Sequence, residues 1–361
     1  MRVILAVKSV SPSYGGPAFS VSRLAQALAD GGIEVGLWAS DMSAATTPLL
    51  TARARLRPIT GSLAQALDRF GRPDILHDNG IWLPHNHRLA ELARRRRLPR
   101  VVSTRGMLEP WAMSHKKLKK RIAWWLYQRR DLSGAAYHHA TAAAEAENVE
   151  RLKLGVPVGV IPNGIDIVEQ RPRSGKQARR ALFLGRIHPV KGLPLLIEAW
   201  SHLRPRGWEL QIAGPDETGY RGEIERLVHA ASLTEAVQFL GPLEGEAKER
   251  AFADADLLVL PSFSESFGMA VGEALAHGVP VLTTTSVPWP MIAQHGCGWR
   301  VPATIEGIAD GLREALALDA AVLATMGQRG QELVRRDFAW PNVARQFIAT
   351  YEGLLRQNRH R

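Results

Sequence analysis

Asp256-Leu257-Leu258-Val259-Leu260-Pro261-Ser262 reads as a buried parallel strand: an unbroken apolar run ended by a proline that cannot donate to a sheet ladder. Beyond it the chain turns through Glu265-Ser266-Phe267-Gly268 into a helical stretch from Met269 to His277. In open α/β sheets, ligands bind in the crevice outside the carboxyl ends of the strands, so Glu265 falls where a ligand would sit. The helix begins near Gly268, and the N–H groups of its first turn, with the positive end of its dipole, suit a phosphate. Glu273 lies a turn or two inside that helix, where a carboxylate can accept hydrogen bonds from the paired hydroxyls of a ribose.

A second strand-to-helix junction carries the opposite charge. Ala181-Leu182-Phe183-Leu184-Gly185-Arg186-Ile187-His188-Pro189-Val190-Lys191-Gly192 reads as a strand that breaks at Gly185, then a loop, then the helix Leu193 to Leu203. Arg186 and Lys191 both lie just past a strand's carboxyl end. A planar fork of donors and a compact ammonium together suit a diphosphate.

The run GRIHPVKGLPLLIEAW and the later PSFSESFGMAVGEALAHGVPVL closely resemble glycosyltransferase family 4, retaining enzymes of the GT-B fold. Val160-Ile161-Pro162-Asn163-Gly164-Ile165-Asp166 agrees, standing where that family starts its second domain. The resemblance implies an α/β chain of two Rossmann-like domains facing each other across a cleft. The expected division is 1–165 for an acceptor-binding domain and 166–341 for a nucleotide-sugar domain, with a last helix, 342–357, packing back on the first. The implied activity is retaining, metal-independent sugar transfer of hexosyltransferase type. The sugar moves from a nucleotide-diphosphate donor to a glycan or polyprenyl-linked acceptor, in assembly of cell-surface polysaccharide or lipopolysaccharide. A nucleotide-sugar epimerase or a non-catalytic sugar-nucleotide binder are the alternatives.

The resemblance carries roles onto residues. Arg186, Lys191 and Glu265 are the catalytic candidates. They join Gly15, Gly16, Ser266, Phe267, Gly268, Met269, Glu273 and Leu240 in a donor set, Leu240 through a base-contacting loop from Phe239 to Leu243. Gly15 and Gly16 follow the strand Arg2 to Val7 and lead into a helix from Ala18 to Ala29, a strand, loop and helix able to present backbone N–H groups to a phosphate. On the acceptor side stand His77 and Asn79, closing the strand of Pro73 to Gly80, and Arg105 after Val101-Val102-Ser103-Thr104. Many relatives carry a histidine where this chain has Arg105. An arginine cannot act as a general base at ordinary pH, and its guanidinium suits instead an anionic part of donor or acceptor. His77 is equally readable as a hydrogen-bonded histidine at a strand end.

The 361 residues are too many for one ordinary core and suit two domains, the boundary falling near Asn163 to Ser174. One cysteine, Cys297, excludes an internal disulfide and a cysteine-rich zinc site, and fits a reduced, cytoplasmic setting. Asp254-Ala255-Asp256 has the form of a metal-bridging motif, but it abuts the buried strand, and Asp256 reads as an anchor for the strand start. No metal and no cofactor beyond the nucleotide sugar are expected.

The net charge of +11 is concentrated: from Arg94 to Arg130 there are thirteen Lys and Arg against one acid, Glu109. Within the segment 115–130, cations interleave with Leu118, Trp124, Trp125 and Tyr127, the composition of a helix lying on an anionic membrane at the inner face of the cytoplasmic membrane. The competing reading is an ordinary helix with Trp124 and Trp125 packed inside. No helix-turn-helix, zinc-finger or RNA-binding signature accompanies the charge, so no nucleic acid is expected.

Overall fold

The computed structural model describes residues 1–114, 117–169 and 178–359, and it forms two compact units. The first comprises Met1–Gly164 with Trp340–Arg361, the second Ile165–Ala339. Ile165 thus belongs to the second unit and Trp340 and Pro341 to the first, each shifted from its expected side. Residues 170–174 of the expected boundary segment lie outside the described residues.

The first unit holds seven parallel strands: β1 (Arg2–Val7), β2 (Glu34–Ala39), β3 (Leu56–Ile59), β4 (Ile75–Asn79), β5 (Arg100–Ser103), β6 (Tyr137–Ala140) and β7 (Val158–Val160). Their order is β3-β2-β1-β4-β5-β6-β7. Strand β1 shows why its apolar run is continuous. Val3, Leu5 and Val7 pack against the core on one face, while Ile4 and Ala6 join Leu63, Leu67, Phe70 and Leu89 on the other. A strand covered on both faces has no solvent side on which to place polar residues.

The final helix, Trp340–Arg359, is longer at both ends than the expected 342–357. Its Trp340, Val343, Ala344, Phe347 and Tyr351 form a stripe at helical spacing and bury against the β1 face of the first unit.

The second unit holds β8 (Arg179–Leu184), β9 (Trp208–Ala213), β10 (Val237–Gly241), β11 (Leu257–Leu260), β12 (Val281–Thr284) and β13 (Gly298–Val301), all parallel, in the order β10-β9-β8-β11-β12-β13. Both sheets reverse direction of growth beside their first strand, at β1/β4 and at β8/β11. That switch point is where a doubly wound sheet opens its ligand crevice. The loops after β8 and β11 carry the motif residues read from the sequence.

Candidate functional site

In the second unit, β8 ends at Leu184 and its loop runs through Arg186 and Lys191 to the helix Leu193–Leu203; β11 ends at Leu260 and its loop runs through Glu265 to the helix Met269–Ala276. The backbone stitches the two loops together, the Phe263 N–H donating to the Val190 carbonyl at 2.8 Å. Gly192 has φ +68°, and a Cβ there would stand 2.1 Å from the Pro261 carbonyl oxygen, so only glycine permits this approach. Gly268 caps the second helix with φ +83°, the left-handed turn that starts it after Phe267. Trp289, buried, donates to the Phe267 carbonyl at 2.6 Å and fixes that turn from below.

The charged groups meet across this stitch. Lys191 Nζ lies 2.5 Å from Glu265 Oε1, and the buried Ser262 hydroxyl donates to the same oxygen at 2.8 Å. Glu273 is engaged by Lys248, whose Nζ is 2.7 Å from its Oε1. Arg186 stands more exposed, 3.4 Å from Glu217. A shallow depression of about 510 Å³, lined by His188, Thr218, Tyr220 and Arg226 among others, opens beside this loop rather than over the glutamates. Leu240 lies partly exposed in β10, where Arg221 covers the Phe239 ring at 5.0 Å. Lys248 and Ser262 were not anticipated; neither has a sequence signal, because each is recognised only by what it touches.

The acidic pair before β11 has a structural task. Asp256 accepts from the Arg180 N–H at 2.9 Å and Asp254 from the Arg180 guanidinium at 2.8 Å, which anchors the strand start. Among the described residues, no cluster of three or more His, Cys, Asp or Glu is placed to hold a metal ion.

In the first unit, Gly15 closes a short 3-10 turn and the helix begins at Gly16, two residues earlier than expected. His77, an acceptor-side candidate equally readable as a hydrogen-bonded histidine at a strand end, is fully buried, with both ring nitrogens facing protein side chains. The last helix covers it. Tyr351 Oη lies 2.6 Å from Nδ1, and Ser103 Oγ lies 2.6 Å from Nε2 and 2.6 Å from His139 Nδ1. His139 Nε2 faces the Ile161 carbonyl at 2.8 Å.

That carbonyl can only accept, so it orders the whole chain. His139 Nε2 donates to it; His139 Nδ1 then accepts from Ser103, Ser103 accepts from His77 Nε2, and His77 Nδ1 accepts from Tyr351. Both histidines are neutral in this arrangement. Burial pushes their pKa values down, His77 well below its ordinary value and His139 to about 4, with Arg105 adding to both shifts. A partner 274 residues away in sequence could not be read from the His77 segment.

Arg105 and Asn79 are brought together. Asn79 Oδ1 accepts from Arg105 Nη2 at 2.6 Å and from Nε at 3.2 Å, while Nη1 donates to Asn163 Oδ1 at 2.8 Å and approaches Ser20 Oγ at 3.5 Å. Glu145, unanticipated, is buried beneath this turn and accepts from the Thr104 hydroxyl and the Gly106 N–H, both at 2.6 Å.

The basic segment forms Lys117–Ala123, a π-turn Trp124–Gln128 and Arg129–Ser133, while His115 and Lys116 lie outside the described residues. Its inner side is tied to Trp82. Gln128 accepts from the Trp82 N–H at 3.0 Å, Tyr127 donates to the Trp82 carbonyl at 3.0 Å, and Trp124 packs near the Trp82 ring. Leu118, Ile122, Trp125 and Leu126 point outward, 71, 52, 74 and 75% exposed. Trp125 is therefore not packed inside. No helix among the described residues is long and apolar enough to cross a membrane.

Comparison with known proteins agrees with this architecture. Residues 15–164 match the glycosyl transferase 4-like domain and residues 166–333 match glycosyl transferases group 1. A D-inositol 3-phosphate glycosyltransferase of Actinosynnema mirum is 29% identical over 244 residues, covering 59% of this chain and 56% of the relative. The chain spans about half the length of most of the curated relatives it matches. Among solved structures, sucrose-phosphate synthase from Thermosynechococcus elongatus aligns with a TM-score of 0.78 at 20% identity, covering 99% of this chain and 100% of that one. Anabaena Alr3699/HepE, in complex with UDP and glucose, aligns with a TM-score of 0.77 at 20% identity over 98% of this chain and 100% of that one. The fold is that of GT-B glycosyltransferases, and the chain is composed of a glycosyl transferase 4-like domain followed by a glycosyl transferases group 1 domain.

Proposed function

We propose that this protein is a retaining, metal-independent glycosyltransferase. It moves a hexosyl unit from a nucleotide-diphosphate sugar to a glycan or lipid-linked acceptor during assembly of a surface polysaccharide or lipopolysaccharide. The observation that carries the reading is the meeting of Lys191 and Glu265 at the β8/β11 switch point, with Arg186 on the same loop. Cations and carboxylates side by side at a strand-end crevice match a ligand with both a diphosphate and hydroxyls.

As the bond between C1 and the leaving oxygen breaks, its electron pair passes to the diphosphate. Arg186, Lys191 and the first turn of the helix Met269–Ala276 meet that growing charge and stabilise the transition state more than the ground state. Glu265 accepts from hydroxyls of the transferred sugar and Glu273 from those of the ribose. The acceptor hydroxyl forms its new bond to C1 on the face the diphosphate leaves, which preserves the configuration. Its proton goes to the departing phosphate oxygen, the base nearest on that face. No covalent enzyme intermediate is assigned.

The outward stripe of Leu118, Ile122, Trp125 and Leu126, with Lys117, Lys119, Arg121, Arg129 and Arg130 exposed around it, supports docking on an anionic bilayer. That partner is consistent with a lipid-linked acceptor.

Titration of uridine, guanosine and adenosine diphosphates into the wild type and Arg186→Ala, with and without a chelator, tests the donor reading. Binding of one base, weakened in the variant and indifferent to chelator, is expected; no binding of any nucleotide overturns it. Retention is tested by NMR of the product from an α-linked donor, and a β-linked product overturns it.

A further inference from the structure

We infer that Ser20, Asn79, Arg105 and Asn163 of the first unit form an anion-binding site that takes a phosphate or carboxylate group carried by the acceptor. The inference rests on reading that unit as the acceptor side.

The backbone comes first. Arg105 has φ +54°, a left-handed conformation that a residue with a side chain adopts only at a cost in strain. Glu145 holds it there. One carboxylate oxygen binds the residues on either side, Thr104 and Gly106, and the other accepts from the Thr141 N–H and hydroxyl at 2.7 and 2.8 Å. What this strained turn achieves is the aim of the guanidinium across the carboxyl end of β4.

The partners awaiting the guanidinium there are all neutral: two amide oxygens and a hydroxyl. No carboxylate among the described residues lies within ion-pairing distance of it, and Glu145, the acid that acts on it electrostatically, has its oxygens filled by four other donors. Burial accordingly pulls the Arg105 pKa down to about 10. The contrast with the buried structural arginines is direct. Arg100 has Asp78 at 3.1 Å, and Arg180 has Asp254 at 2.8 Å. Those two arginines each have a carboxylate in contact, whereas Arg105, partly exposed beside the switch point, meets only neutral oxygens. An uncompensated cation drawn from water is costly, and a bound oxyanion removes that cost while accepting from a preset fork of donors.

On the neighbouring helix Gly16–Asp30, Gly16 and Phe19 are exposed while Ser20 is buried. Asn79 and Asn163 hold the fork in one orientation, and Asn79 is itself fixed by bonds from its amide nitrogen to the Ala6 and His77 carbonyls, each 3.3 Å.

The test uses the full chain carrying Arg186→Ala, which weakens the other anion site, with inorganic phosphate as the probe followed by calorimetry and phosphorus NMR. Saturable phosphate binding is expected, weakened at least about tenfold by Arg105→Gln and by Asn163→Asp. Asn163→Asp keeps the arginine and places a carboxylate where an amide oxygen stands 2.8 Å from it. It should raise the melting temperature while blocking phosphate, which separates lost binding from misfolding. Saturating nucleotide diphosphate should leave phosphate affinity unchanged. Equal phosphate affinity in both variants and their parent overturns the inference, and so does displacement of phosphate by the nucleotide, which would give the anion to the donor. Phosphate binding that depends on Arg105 in a wild type that binds no nucleotide would leave the anion site standing and remove the transferase reading instead.

Discussion

The Lys191 ammonium lies 2.5 Å from Glu265 Oε1 and so joins the loop after β8 to the loop after β11 across the point where the second sheet changes direction. Lys191→Ala removes one of the two cations that the proposed mechanism sets against the departing phosphate. It is expected to lower kcat/KM by roughly 10²–10³. Lys191 and Glu265 are only 14 and 12% exposed, and Glu265 keeps only its Ser262 hydrogen bond in that variant, so unfolding free energy should also fall, by roughly 3 kcal/mol. Steady-state kinetics beside chemical denaturation separate the two effects.

The Lys248–Glu273 pair predicts a different signature. Ribose contacts are made equally in the ground and transition states, so Glu273→Ala should raise KM for the donor about tenfold with little change in kcat. Lys248→Ala should shift KM in the same direction. Donors lacking the 2′ or 3′ hydroxyl check the assignment: they should lose affinity for the wild type but suffer no further loss with Glu273→Ala.

The buried histidines make stability fall in acid. Burial lowers the pKa of His77, and lowers those of His85, His138 and His139 from 6.5 to about 4. Below pH 6.5 the unfolded chain takes up protons that the folded chain refuses, so stability declines as pH drops from about 6.5 toward 4. Asp78 works in the opposite direction. Its carboxyl, buried, is pushed up from 3.8 to about 7 despite Arg100, so it binds a proton in the folded state over the same window. Four histidines outweigh one aspartate. Urea midpoints measured between pH 4 and 8 should fall on the acid side, and Ser103→Ala, which strips a partner from both His77 and His139, should cost about 2–4 kcal/mol at neutral pH.

How far these features were legible in the sequence depends on the range of the interactions. Strands β8 and β11 and the helices after them were readable because a two-sided buried strand must be an apolar run and because Gly185, Pro261 and Gly268 mark their ends locally. Arg186, Lys191, Glu265 and Glu273 were readable because each sits at a fixed offset from such an end. Burial of His77 was not, since the residues that cover it, Phe347 and Tyr351, arrive on a helix from the far end of the chain. Lys248 and Glu145 were missed for the same reason: each acts through one contact across the fold, with no pattern around it. Composition alone also left Trp125 undecided, because the side a helix presents depends on what it packs against, here Trp82.

The exposed stripe on that helix gives the last prediction. Large apolar side chains more than half exposed carry a hydration cost that an interface would remove, and the surrounding cations would each add about 1 kcal/mol of attraction to anionic lipid. Vesicles containing anionic lipid should therefore sediment the wild type, and neutral vesicles should not. Trp125→Glu or Leu126→Glu should abolish sedimentation without lowering the melting temperature, because both side chains lie outside the core. Lys119→Glu with Arg121→Glu should weaken binding in a way that raised salt mimics. Binding that is indifferent to the apolar substitutions but lost with the charge reversals would reduce the contact to surface electrostatics, and no sedimentation of the wild type would remove the membrane from the proposed function.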